Sequence, residues 1–147
     1  MEILVVDVTM NAEGNELRVQ TSSNNDTLSG FIFRLPNSNS DQNAQSFASL
    51  LEQLSSHDLI FRDAAVEFNV LRKLCDVNGC GELAEVVHSV TCLRSWAAEV
   101  ADECSRTKAE KLLDASVRLT EGTDNSTATR IALLWESYQT LSDCSDN

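Results

Sequence analysis

The chain opens on an apolar run, residues 3–6, that stops at a single acid, Asp7. A continuous apolar run of this kind reads as a strand buried on both faces. Residues 2–9 are therefore expected to form a central strand. Residues 16–20 (ELRVQ) alternate weakly, and "TSSNNDTLSG" reads as polar loop. Residues 31–35 (FIFRL) form a further strand, halted by Pro36, the only proline. "NSNSDQN" is a polar linker that ends in helix-start chemistry, with Ser40 or Asp41 as the cap.

From there the period changes to that of helices. Ala44, Phe47, Ala48, Leu51 and Leu54 share one helical face, and the short strand "DLIF" (58–61) follows. A helix over about 63–75 carries Ala64, Phe68, Leu71 and Leu74/Cys75 on one stripe. Glu67 lies beside Phe68 on that apolar side, where a carboxylate needs a partner to offset desolvation. "NGCG" is a turn, and residues 83–90 suit a strand or a helix equally. Leu93, Trp96, Ala97, Val100, Ala101 and Cys104 predict one amphipathic helix. Another covers about 107–120 and stops at Gly122. The last spans about 127–142, with Ala128, Ile131, Leu134, Trp135, Tyr138 and Leu141 facing inward. Trp96, Trp135 and Tyr138 fall on these stripes and read as core, since base-stacking aromatics belong on an open sheet face. There are no internal repeats. The order β-β-β-α-β-α-(β)-α-α-α predicts an α/β domain over 1–142, one mixed sheet flanked by helices. A flexible acidic tail is expected over 143–147.

Composition narrows the setting. With 147 residues the chain suffices for one core, and its 42 % hydrophobic and 23 % charged content is that of a folded domain. It shows neither an 18-residue apolar stretch nor a basic-then-apolar leader, so neither a membrane span nor a signal peptide is expected. The cysteine count is odd, at five, which suits reduced thiols inside a cell, in cytoplasm, nucleus or organelle. Cys75 and Cys80 form half of a zinc motif, but His57 and His88 stand alone, so no metal or cofactor is expected. The sequon Asn125-Ser126-Thr127 carries no weight in such a protein. A net charge of −12, with 23 acids against 11 bases, repels phosphate backbones, and the longest basic feature is Arg72-Lys73. Direct nucleic-acid binding is disfavoured, and a protein partner suits the charge better.

Four strings carry candidate chemistry: "VVDVT", "LIFRDAAVEFNVLRKL", "VTCLRSWA" and "NSTATRIALLWESYQTL". Together they resemble the DEDD-type 3′–5′ exonuclease family, of ribonuclease H-like fold, from residue 3 to residue 141. The resemblance implies two divalent cations about 4 Å apart, held by four acids, with a His or Tyr as general base. The first string keeps Asp7 but has Thr9 where the family has Glu. The second has Glu67 at the family's Asp, and Arg62-Asp63 in place of a His-Asn-like pair. The third fits a helix-opening Asp-Thr-Leu element in shape. The fourth sets Asn125 at the His and Arg130 at the last Asp. Asn125 is no general base, and Arg130 puts a permanent cation where a metal needs an anion.

The resemblance thus implies a vestigial site at Asp7, Thr9, Glu67, Asn125 and Arg130, with Glu67 either snorkelling toward water or paired to Arg130 in place of metal. The expected function is a catalytically inactive exonuclease-like domain, a protein-interaction or scaffold subunit of a nucleic-acid-processing complex. A second reading is an active, divergent nuclease using Asp7, Glu67 and either Asp63 or Asp124. A third is an unrelated α/β adaptor that forms homo- or hetero-oligomers through a helix face or the strand edge of residues 16–35.

Overall fold

The first strand, β1 (Ile3–Met10), lies at the middle of a five-stranded sheet ordered β3-β2-β1-β4-β5, with β2 (Glu16–Ser22), β3 (Leu28–Arg34), β4 (Asp58–Phe61) and β5 (Val90–Cys92). The computed structural model describes residues 2–23, 27–35, 41–77, 83–119 and 124–145. β1 and β2 form a hairpin. Asn11 shapes its loop by accepting the Asn15 and Glu16 amides, both at 3.0 Å, and Gly14 takes the left-handed conformation at φ 73°. β2 pairs antiparallel with β1 and β3, whereas β4 runs parallel to both β1 and β5. Parallel neighbours need crossovers. These are supplied by α1 (Asp41–Ser55) before β4, then by α2 (Ala64–Val77) and the single turn α3 (Leu83–Val86) before β5. Three helices complete the chain: α4 (Leu93–Glu99), α5 (Glu103–Arg118) and α6 (Asp124–Ser145). The architecture is α/β, a mixed sheet flanked by helices.

Alternation along the strands divides the interior in two. Leu4, Val6, Leu17, Val19 and Phe33 face one way and pack on Phe47, Leu50 and Leu54 of α1 and Leu71 and Leu74 of α2. Val5 and Ile60 face the other way, onto Leu93 and Ala97 of α4, Leu113 of α5 and Ile131 and Leu134 of α6. Trp96, Trp135 and Tyr138 pack against this second cluster. The Tyr138 ring meets both indoles edge-on, with centroids 5.9 and 6.0 Å away.

Several elements depart from the sequence expectation. β3 begins at Leu28, because the ladder with β2 extends to Ser22↔Leu28 and draws Ser29 and Gly30 into the strand. α1 buries Asn43, Phe47, Leu50 and Leu54, and leaves Ala44 and Ala48 exposed. The helix expected across 93–104 ends at Glu99. Asp102 accepts the Ser105 amide at 3.0 Å and caps α5 from Glu103, so Ala101 and Cys104 lie on the surface. α6 runs to Ser145, past the boundary expected at 142, and its Ala128 is exposed. The linker after Pro36, the cap at Ser40, the "NGCG" turn with Cys80, and Gly122 lie outside the described residues. Among the described residues Cys75, Cys92, Cys104 and Cys144 form no disulfide. Among the described residues no helix is long and apolar enough to cross a membrane.

Candidate functional site

On β1, period two sets Asp7 on the same side as Ile3 and Val5, toward α5 and α6. β4 pairs with β1 only as far as Val6↔Phe61, so Arg62 leaves the sheet next to Asp7. The backbone of Arg62 is pinned there, its carbonyl accepting the Arg94 amide at 3.1 Å. Its guanidinium divides its donors: Nη2 donates to Asp7 Oδ1 at 2.7 Å and Nε to Ser116 Oγ at 2.8 Å. Arg130 descends from α6 onto the same carboxylate as a fork. Its Nε donates to Oδ2 and its Nη2 to Oδ1, both at 2.9 Å. Its Nη1 donates to the Leu119 carbonyl at 3.2 Å.

All three charged groups are buried: Asp7 is 2 % exposed, Arg130 4 % and Arg62 7 %. Burial pushes the Asp7 carboxyl up, but the Arg130 and Arg62 guanidinium groups outweigh it and hold the group below its ordinary range. Asp7 is thus a fixed anion clamped by two cations.

Glu67, in the first turn of α2, is also buried but makes different contacts. Its Oε2 accepts the Val8 amide and its Oε1 the Asp63 amide, each at 2.9 Å. Because the β1–β4 ladder ends at Val6↔Phe61, the Val8 amide lies beyond it, and the carboxylate stands in for the missing strand. Burial is the dominant influence and pushes the Glu67 carboxyl up to about 7. The two amides and Arg62 oppose this, and the Asp7 charge adds to it. The ion pair expected between Glu67 and Arg130 is not what forms, since Arg130 goes to Asp7 and Glu67 to backbone.

The remaining candidates contribute less. Thr9 shares the strand face of Asp7 and is half-buried, in register with Arg18. Asp63 offers its backbone, donating to Glu67 and accepting the Val66 and Glu67 amides. Asn125 and Asp124 lie in the first turn of α6, and their side chains are outside the described residues. Sequence reasoning passed over Ser116 and gave Arg62 no role. The available signal for Arg62 was a base directly after the buried strand "DLIF", next to the strand that ends in Asp7.

The cation pair implied by the family resemblance needs carboxylate oxygens free to coordinate. Both Asp7 oxygens are taken by guanidinium donors and both Glu67 oxygens by amides. These residues therefore do not fit that metal pair. Among the described residues, no three His, Cys, Asp or Glu side chains gather where they could hold a metal ion. Two surface cavities, of about 570 and 690 Å³, lie along α5 and beside Trp96 and Cys144, and no residue of the cluster lines either. What the arrangement does chemically is fix three elements, β1, the end of β4 and α6, through one carboxylate. No protein-family model, curated protein or solved structure matches the chain.

Proposed function

We propose that this chain is a catalytically inactive, exonuclease-like domain of ribonuclease H-like fold that serves as a protein-interaction or scaffold subunit of a nucleic-acid-processing complex. The observation that carries the reading is the pairing of Asp7 with two cations, Arg62 and Arg130, which place three hydrogen bonds on its carboxylate. A guanidinium keeps its charge at every physiological pH, so it competes permanently for the oxygens a metal would use. Supporting it is the mixed sheet flanked by helices, the coarse architecture that the resemblance implies. The net charge of −12 favours a protein partner over direct contact with phosphates.

The test is a calorimetric titration of the purified chain with Mn²⁺, together with incubation of single-stranded RNA and DNA in Mg²⁺ or Mn²⁺. The expected result is no binding heat at millimolar metal and no shortening of either polymer. Degradation that Asp7→Ala abolishes would overturn the proposal in favour of an active nuclease. The scaffold role is checked by affinity purification with mass spectrometry, which should recover a stable set of proteins that act on nucleic acid.

A further inference from the structure

The edge strand β3 has a solvent side that is open over most of its length. Among the described residues its one strand neighbour is β2, in register over seven residue pairs. Leu35 directs its amide inward to the Asn15 carbonyl at 2.8 Å, so the odd-numbered residues face β2 and the even-numbered ones face out. At Arg34 the outward pair is already met, because the Asn43 carboxamide accepts the amide at 3.3 Å and donates to the carbonyl at 3.0 Å. Asn43 thus acts as a one-residue strand that closes that end of the edge. The outward amides and carbonyls of Leu28, Gly30 and Ile32 have no partner among the described residues.

Edges of this kind are normally blunted by charge, proline or a bulge. Residues 28–33 (LSGFIF) hold neither charge nor proline, and the ladder is unbroken. Leu28 and Ile32 are 41 % and 46 % exposed.

We propose that β3 pairs with β3 of a second copy of this chain, antiparallel about a two-fold axis at Gly30. The register is self-complementary: Gly30 faces Gly30, and Ile32 faces Leu28 in both directions, so the same apolar pair repeats on either side of the axis. Each of these three positions presents the amide and carbonyl that an antiparallel neighbour needs. A Cβ at Gly30 would come 3.1 Å from Gln20 Nε2, so this position stays bare, and the strand backbones meet there without a side chain.

Charge selects the occupant. Two copies at −12 each repel wherever acids face one another. Residues 27–35 contain no acid, and neither do residues 43–51 of α1, which packs on β3 through the edge-on contact of Phe47 with Phe33. The β3 edge and the helix behind it form a region free of acids by which copies of an acidic chain can approach. The paired segment is short and buries less than the roughly 1,200 Å² of a stable interface, so the dimer is weak and concentration-dependent, with Kd on the order of 10–100 µM. This inference does not depend on how the Asp7 cluster is read.

The experiment is sedimentation of the full chain across concentration, with amide hydrogen exchange at the dilute and concentrated ends. The expected result is a monomer that becomes a dimer, with exchange at Leu28, Gly30 and Ile32 slowed only in the dimer. Leu28→Lys/Ile32→Lys should weaken association at least about tenfold, since each Lys then faces its like across the axis, and leave the circular dichroism spectrum and Tm of the monomer unchanged. A monomer mass at every concentration up to about 1 mM overturns the proposal, including the case in which an added (Thr-Val)₃ peptide shields the same amides and assigns the edge to a different strand. A dimer that survives the double substitution with β3 exchanging freely overturns it as well.

Discussion

The two faces of the sheet are built from one strand by alternation, yet they differ in kind. Toward α1 and α2, β1 presents Leu4, Val6 and Val8, and this face stays apolar along the strand. Toward α5 and α6 it presents Ile3 and Val5, then turns polar at Asp7 and Thr9. The first face is specified by volume: side chains of suitable size fill it, and exchange among them is tolerated. The second is specified by direction. Asp7 must meet two guanidinium groups, and Arg62 must divide its donors between Asp7 and Ser116. A buried ion cluster is rarely more stable than apolar side chains of the same volume, so stability alone does not call for this one. It sits where β4 stops short of the end of β1.

The largest effect is expected from breaking the ionic face at its centre. Asp7→Asn leaves two buried guanidinium groups without their anion and should cost about 3–5 kcal/mol. The measurement is the urea midpoint at constant slope. Replacing the whole unit, Asp7→Leu with Arg62→Met and Arg130→Met, should recover most of that loss. A triple variant no more stable than Asp7→Asn alone would show that the second face has no apolar solution, and the contrast between the faces would be one of necessity.

The two buried acids sharpen the contrast through pH. Asp7 has its folded pKa held low, so its contribution is present above its ordinary 3.8 and is lost as pH falls through the lower folded value. Glu67 runs the other way. Below 4.5 it is protonated in both states, and between 4.5 and about 7 the folded chain keeps a proton that the unfolded chain has released. Stability therefore falls as pH rises across that window, by on the order of 3 kcal/mol. Glu67→Gln removes this slope at the cost of one amide acceptor. The difference in unfolding free energy, variant minus wild type, should rise by about 3 kcal/mol from pH 4 to pH 8. A flat difference would mean that the Val8 and Asp63 amides and Arg62 offset burial fully, so that Glu67 titrates alike in the folded and unfolded chains.

Much of this was legible in the residues. β1 and β4 show themselves as short apolar runs because both of their faces are buried, and α2 shows its stripe from Ala64 to Cys75. The first half of β3 was hidden, since Ser29 and Gly30 carry loop chemistry and become strand only through the ladder with β2. The break before α5 was hidden for the opposite reason. The apolar period runs unbroken through Val100, and Asp102 becomes a cap only once Ser105 turns back onto it. At the site, the motifs pointed to Asp7, Glu67 and Arg130, but not to who pairs with whom. Arg130 lies 123 residues from Asp7, so its choice of acid is settled by how α6 lies across the sheet. Glu67 is claimed instead by the Val8 amide, which is free because the β1–β4 ladder ends two residues earlier.

The smallest effect tests whether the ionic face includes α5. Ser116 is fully buried, accepts from Arg62 Nε at 2.8 Å and donates to the Leu113 carbonyl at 2.6 Å. Ser116→Ala removes one oxygen and strands one guanidinium N–H in a dry site, at a cost of about 1–2 kcal/mol. The loss stays below that of Asp7→Asn because Arg62 keeps its bond to Asp7. The two changes act on the same guanidinium, so their effects should couple: combined with Asp7→Asn, Ser116→Ala should depart from additivity by at least about 0.5 kcal/mol in a double-mutant cycle. Strict additivity would mean that Arg62 is oriented by Asp7 alone, and the polar part of the second face would then reduce to one carboxylate held between β4 and α6.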